Sequence, residues 1–187
     1  MKTSMVVTSV AAGVLAAVLI APLFHTHGDP GGRIVPMWAH AYATLQDMTV
    51  DADTVVLATV TGTRPGRVVS VGGGASLLPF TLIDLTVDET VRGQASEVLT
   101  VEQTGGILDG LTAYMEDDGG PYRVGDEVLL FLKAQPGTGY YYVSHPKGRF
   151  TVDGNTLRTK LPADAVAAEL AGRDLDDALH LIEAAGR

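Results

Sequence analysis

From Met5 to Phe24 the chain carries no charge. A run of 20 such residues, dense in Val, Ala and Leu, must leave water, and as a helix it rises ~30 Å, the thickness of a bilayer's hydrocarbon core. A cleavable export signal has an apolar region of only ~7–15 residues, followed at once by a small-x-small cleavage site. Past this run Ala-x-Ala first occurs as Ala39-His40-Ala41, too far along for that geometry. The expectation is an uncleaved single-pass anchor over residues 1–24, with a cleaved signal peptide as the alternative. A buried core helix fits least, because a soluble domain rarely keeps so long an uncharged run together. The chain has no Cys, so a lipid-bearing Cys is excluded. Lys2 and the terminal amine are the only positive charges before the run. They place the N-terminus inside and everything after Phe24 outside the cell membrane, or secreted if the segment is cleaved.

Charge then narrows the partners. Setting Lys2 aside leaves 12 of the 13 basic residues to face 22 Asp plus Glu after Phe24, a formal charge of −10. So acidic a surface repels phosphate backbones and anionic headgroups, which argues against nucleic acid as a partner and leaves contact with the membrane to Met5–Phe24. Without Cys there are no disulfides, and stability must come from packing. Much Ala, Val, Gly, Asp and Arg with little Lys points to a GC-rich bacterial genome.

Residues 25–44 open on the Gly/Pro-rich His25–Pro36 and read as a juxtamembrane linker, with a short helical or irregular lead-in at Ala39–Gln46. Residues 45–160 then switch to short apolar runs divided by turn residues, the signature of strands. Thr54–Thr61 is rich in β-branched residues. Gly62–Ser76, with Arg64-Pro65-Gly66 and Gly72-Gly73-Gly74, reads as a turn and mobile loop with room for a short strand at Arg67–Val71. In Phe80–Val91 the apolar Ile83, Leu85 and Val87 alternate with Asp84, Thr86 and Asp88, giving one buried and one wet face. Glu97–Gln103 is a third strand, and Gly105–Tyr122 reads as a long surface excursion. Glu127–Lys133 holds five consecutive apolar residues and reads as a strand covered on both sides. Tyr140–Ser144 follows, then a hairpin about Asp153-Gly154. Residues 161–187 take a helical period: Pro162 to Ala171 ending at Gly172, then a helix capped by Asp174 with Leu175, Leu179 and Ile182 on one stripe.

About six or seven short strands followed by helices define a mostly β, α+β domain. A small OB-like Greek-key barrel is the economical way to leave no open edges. Three segments carry a resemblance: Asp53–Val60, Phe80–Val87 running on to Arg92-Gly93, and Val124–Leu132 with its Gly125 ahead of Leu129-Leu130-Phe131. In this order they resemble the netrin-like, or tissue-inhibitor-of-metalloproteinase-like, OB-fold domains and a class of secreted bacterial proteins of similar layout. The resemblance spans roughly Asp53 to Val152 and implies the barrel and an extracellular setting. In that family inhibition uses an N-terminal Cys that chelates zinc. This chain has no Cys, so the inhibitory mechanism does not carry over.

The sequence assembles no catalytic set and no cofactor motif. Gly-x-Ser-x-Gly, a Walker loop and His-Glu-x-x-His are absent, and Gly72-Gly73-Gly74 lacks dinucleotide spacing. His25 and His27, with Asp29 and His40 nearby, provide metal-ligand types, but structural zinc demands four ligands in fixed geometry; polar linker residues are the simpler account. Glu116-Asp117-Asp118 has hard oxygens suited to calcium but no EF-hand spacing. Ser144 and His145 are adjacent, and neighbours on a strand point to opposite faces, so they read as a turn. Asp51 and Asp53 read as strand-entry residues, and His180 as a residue of the last helix at least partly in solvent. Tyr140, Tyr141 and Tyr142 are the candidate ligand contacts, since alternating strand residues cannot all be buried on one side. The expected function is therefore a non-enzymatic extracytoplasmic binding module for a protein, peptide or glycan. The alternatives are a cell-envelope hydrolase using loop carboxylates such as Asp109 and Glu116, or a metal-handling protein using His25 and His27.

Overall fold

A computed structural model describes residues 41–71, 76–114 and 119–187. The anchor run, the histidines at 25, 27 and 40, the glycines at 72–74 and the acidic residues 116–118 lie outside the described residues. Among the described residues no helix is long and apolar enough to cross a membrane.

The domain is mostly β with C-terminal helices. Helix α1 (Leu45–Asp51) leads into β1 (Thr54–Val71) and β2 (Ser76–Gly93). Strands β3 (Val98–Leu108), β4 (Leu111–Tyr114), β5 (Glu127–Ala134) and β6 (Tyr141–Val143) follow. A 3-10 turn at Pro146–Gly148 then enters the hairpin β7 (Arg149–Asp153) and β8 (Thr156–Arg158), and α2 (Ala165–Ala168) and α3 (Leu175–Ala185) end the chain. The strands lie in the order β1-β2-β3-β6-β5-β7-β8, with β4 paired to β3. β1 also pairs antiparallel with β5, from Thr54↔Leu132 to Thr59↔Glu127. β6 meets β3 in parallel at Val101↔Tyr141 and β5 in antiparallel at Leu132↔Val143.

Strand β5 divides two cores, and its period of two explains why. Val128, Leu130 and Leu132 join Val56, Ala58, Val60, Ile83 and Leu85 in an inner cluster enclosed by the strands. Leu129 and Phe131 point the other way, into a cluster with Met48 of α1, Phe150, Val166 and Ile182 of α3. The five residues Val128–Leu132 are all fully buried, so a continuous apolar run is what this strand needs.

Several boundaries differ from the sequence reading. Gly62–Gly66 is not a turn: β1 runs through it to Val71, taking in the strand expected at Arg67–Val71, and forms a long hairpin with β2, paired as far as Val71↔Ser76. Pro65 is tolerated because β5 has already ended at Thr59, leaving β1 with a free edge, and because the register shifts between Pro65 and Val68. Cross-strand charge pairs hold this arm. Arg64 grips Asp84 through Nε and Nη2 at 3.2 and 3.1 Å, and Arg67 reaches the nearly buried Glu102 at 2.7 Å while covering the Phe80 ring. Gly105–Tyr122 is not wholly an excursion either. β3 runs on to Leu108 and turns at Asp109-Gly110, both with positive φ, into β4. The last hairpin turns at Gly154-Asn155, one residue later than expected, since Asp153 pairs Thr156. The helix expected from Pro162 is only the short α2, capped by Asp164. The lead-in helix lies later than Ala39–Gln46: Thr44 and Asp47 form a capping box that starts α1, and Tyr42 is already in the outer core. Arg92-Gly93 is not a turn: both residues end β2, opposite Val55 and Thr54, and Gly93, with φ of 79°, has to be glycine because a side chain there would collide with the Asp53 carbonyl.

Candidate functional site

Helix α1, the start of β1 and the end of β5 border an open groove of about 810 Å³, lined by Tyr42, Gln46, Asp47, Asp51, Asp53 and Lys133 among others. Each lining charge is placed by local structure. Asp47 is the third residue of α1 and accepts from the Thr44 N–H at 3.2 Å in the capping box. Asp51 is the last helical residue. Its Oδ2 accepts from the Tyr42 hydroxyl at 2.6 Å, and its Oδ1 lies 3.3 Å from Lys133 Nζ. Asp53 stands one residue before β1. Its Oδ2 accepts from the Ala134 N–H at 2.8 Å, and its Oδ1 lies 3.5 Å from Lys133 Nζ.

Lys133 closes this arrangement. Its ammonium donates to the Asp51 carbonyl at 2.6 Å, a cation placed on the unsatisfied C-terminal end of α1. It thereby ties helix to sheet and offsets part of the charge of the two carboxylates. Burial raises the Tyr42 phenol above the usual range, and the hydrogen bond to Asp51 adds to this, so Tyr42 stays a proton donor throughout neutral pH.

The three expected tyrosines divide. Tyr142 is Lys133's partner across the β5–β6 pair, on the same face, and is partly exposed at the groove. Burial raises its phenol, opposed by Lys133 and supported by the carboxylates of Asp51 and Asp53. Tyr141 faces the other way, half-buried against the inner cluster. Tyr140 precedes β6, half-buried beside Arg64. Only Tyr142 of the three therefore adjoins the groove. Asp53 does serve strand entry, as its sequence position implies, but Asp51 belongs to the helix end and pairs with Lys133. Tyr42 and Lys133 were not singled out from sequence. They converge only when β5 is laid beside β1, and no local motif announces that.

Other candidates do not assemble. Asp109 is exposed at the β3–β4 turn, where its φ of 50° accounts for a short polar residue, and Glu116 lies outside the described residues. His145 accepts from the Lys147 N–H at 3.2 Å as the cap of the 3-10 turn and meets Tyr42 edge-on, a structural role. His180 is exposed on α3, 3.9 Å from Glu183. Among the described residues no three His, Asp or Glu side chains are grouped to hold a metal ion. No protein-family model matches the chain, and no curated protein matches it either.

Proposed function

We propose that this chain is a non-enzymatic, extracytoplasmic binding module, tethered to the membrane by Met5–Phe24 or secreted after its removal. Its groove takes a peptide or protein segment that presents a cationic side chain. The observation that carries this reading is the composition of the groove. Asp47, Asp51 and Asp53 outnumber Lys133 among its described lining residues, and Tyr142, the cross-strand neighbour of Lys133, presents a partly exposed ring beside it. Such a surface attracts cations and offers an aromatic anchor of the type that dominates peptide contacts. An enzyme reading fits less well. The groove carboxylates are held by Tyr42, Lys133 and backbone N–H groups, whereas a general acid needs a carboxyl whose surroundings favour the proton.

The scaffold in this proposal is an OB-like Greek-key barrel, in keeping with the resemblance to netrin-like domains. Its support is the pairing order: β1-β2-β3-β6-β5 returns to β1, with the β3–β6 contact parallel and the other pairings antiparallel. Screening the full chain in detergent against a display library of short peptides and against a glycan array tests the binding reading. Enrichment of Lys- or Arg-bearing peptides, with affinity lost about tenfold in Tyr142→Ala and reduced in Asp47→Asn, is the expected result. Peptide binding indifferent to both substitutions, or binding confined to glycans, would refute it.

A further inference from the structure

We infer that the acidic groove has an occupant within the same chain: residues 31–36, whose Arg33 meets Asp47, so that a partner's cation binds by displacing it. The inference rests on the reading of the groove as a site for cationic side chains and adds how that site is regulated.

The groove lies where this segment enters the domain. Ala41, the first described residue, itself lines the groove. Arg33 stands eight residues earlier, a stretch that spans at most ~29 Å fully extended. Asp47 follows Ala41 by six residues and so lies no more than ~22 Å from it, inside that reach.

Charge matches on both sides. Between Lys2 and Arg64 the chain has a single Lys or Arg, which is Arg33, and residues 25–40 hold a single carboxylate, Asp29. The described lining of the groove sets Asp47, Asp51 and Asp53 against Lys133. Lys133 is engaged by Asp51 and Asp53, and Asp51 has a further partner besides. Asp47 is the acceptor left over. It is exposed, its Oδ2 takes the Thr44 N–H, and it makes no ion pair among the described residues.

Shape matches as well. Val50 also lines the groove and is 54% exposed. Three residues after Asp47 on α1, it shares a helix face with that carboxylate. Arg33 is followed at once by Ile34 and Val35. A cation with apolar neighbours therefore answers a carboxylate with an apolar neighbour, two features that a basic residue alone would not satisfy.

Tethering makes a weak contact sufficient. An exposed ion pair is worth little between separate molecules. On a connection this short the effective concentration of Arg33 at the groove is in the mM range, so a contact of millimolar strength is formed for a large share of the time. An external peptide must then compete with it, which lowers the apparent affinity of the groove.

Limited trypsin digestion of the full chain in detergent tests this without any added ligand, because Arg33 is itself the cleavage site. At pH 8 the histidines at 25, 27 and 40 are neutral and do not compete for the carboxylates. Cleavage after the exposed Arg123 in the same digest reports any loosening of the fold. Asp47→Asn, which keeps a capping acceptor, and Val50→Ser should each speed cleavage after Arg33 about twofold and leave cleavage after Arg123 unchanged, within the range of one exposed contact. Shielding of Arg33 by the detergent alone would slow all variants equally. Arg33→Gln should tighten binding of Lys- or Arg-bearing peptides about threefold to fivefold by removing the competitor. Equal cleavage rates after Arg33 in the native chain, Asp47→Asn and Val50→Ser would overturn the inference, whatever the peptides do. Accelerated cleavage in both variants without binding of any basic peptide would uphold the internal contact and refute the external partner instead.

Discussion

Leu129→Asp tests whether the outer face of β5 is sealed by the helices. Leu129 is fully buried, and its neighbours across β1 and β7 are Leu57 and Phe150. Position 129 is a cleaner probe than 130, because the β7 partner of Leu130 is Arg149, which is placed to meet an introduced carboxylate. Removing the leucine side chain costs ~2–5 kcal/mol in transfer and cavity terms. The introduced carboxyl must also stay protonated inside the fold. If burial raises its pKa by about three units, the added cost at pH 7 is ~4 kcal/mol at 1.36 kcal/mol per unit. The total of ~6–9 kcal/mol is comparable with the whole stability of a typical domain, ~5–15 kcal/mol. The sign fixes the pH window. The folded-state pKa lies above the unfolded value, so the ionisation penalty is absent below about pH 4 and grows as pH rises. Urea melts followed by circular dichroism at pH 4 and pH 7 should show a deficit against wild type that widens towards pH 7. Leu129→Asn should show a deficit that does not change with pH. A cooperative, near-native melt for Leu129→Asp at pH 7, or a deficit that tracks the Asn variant at both pH values, would show that solvent reaches this face and that α1, α2 and α3 do not cover it.

Two further outcomes are expected. Asp164 caps α2 through the N–H groups of Val166 and Ala167 and lies 3.0 Å from Lys147, whose side chain is almost buried. Burial works against its charge, but those N–H groups and Lys147 prevail and hold its carboxyl below the usual value. The stability this contributes is complete above the unfolded pKa and is lost as pH falls through the folded one. Asp164→Asn, which keeps a capping acceptor, should therefore lower stability by ~1–3 kcal/mol at neutral pH and by much less at pH 3, read from urea midpoints. Separately, the full-length chain should remain with carbonate-washed bacterial membranes; recovery of a soluble form beginning after Phe24 would instead establish cleavage of the apolar segment.

The mostly β character, the order of strands before helices and the double-faced β5 were legible because they depend on local pattern. Five successive apolar residues require two covered faces, alternation in β2 requires one, and Asp174 announces α3 as its cap; Gly172, expected to end the preceding helix, instead lies in a turn beyond α2, which stops at Ala168. Strand length was not legible in the same way. Pro65 and Gly66 are turn formers in isolation, and only an open edge together with a bulge lets β1 pass through them. Nor did the sequence display the polar contacts made between distant segments. Lys133 reaches the end of α1 across 82 residues of chain, and Arg149 meets Gly120 across 29. Each apolar or turn residue states its preference within a few neighbours, whereas a cluster of charges is defined by pairings between distant strands. The sequence by itself determined which faces had to be buried; the tertiary pairing of β5 with β1, and of β7 with β8, decided which polar groups would stand together where that burial ends.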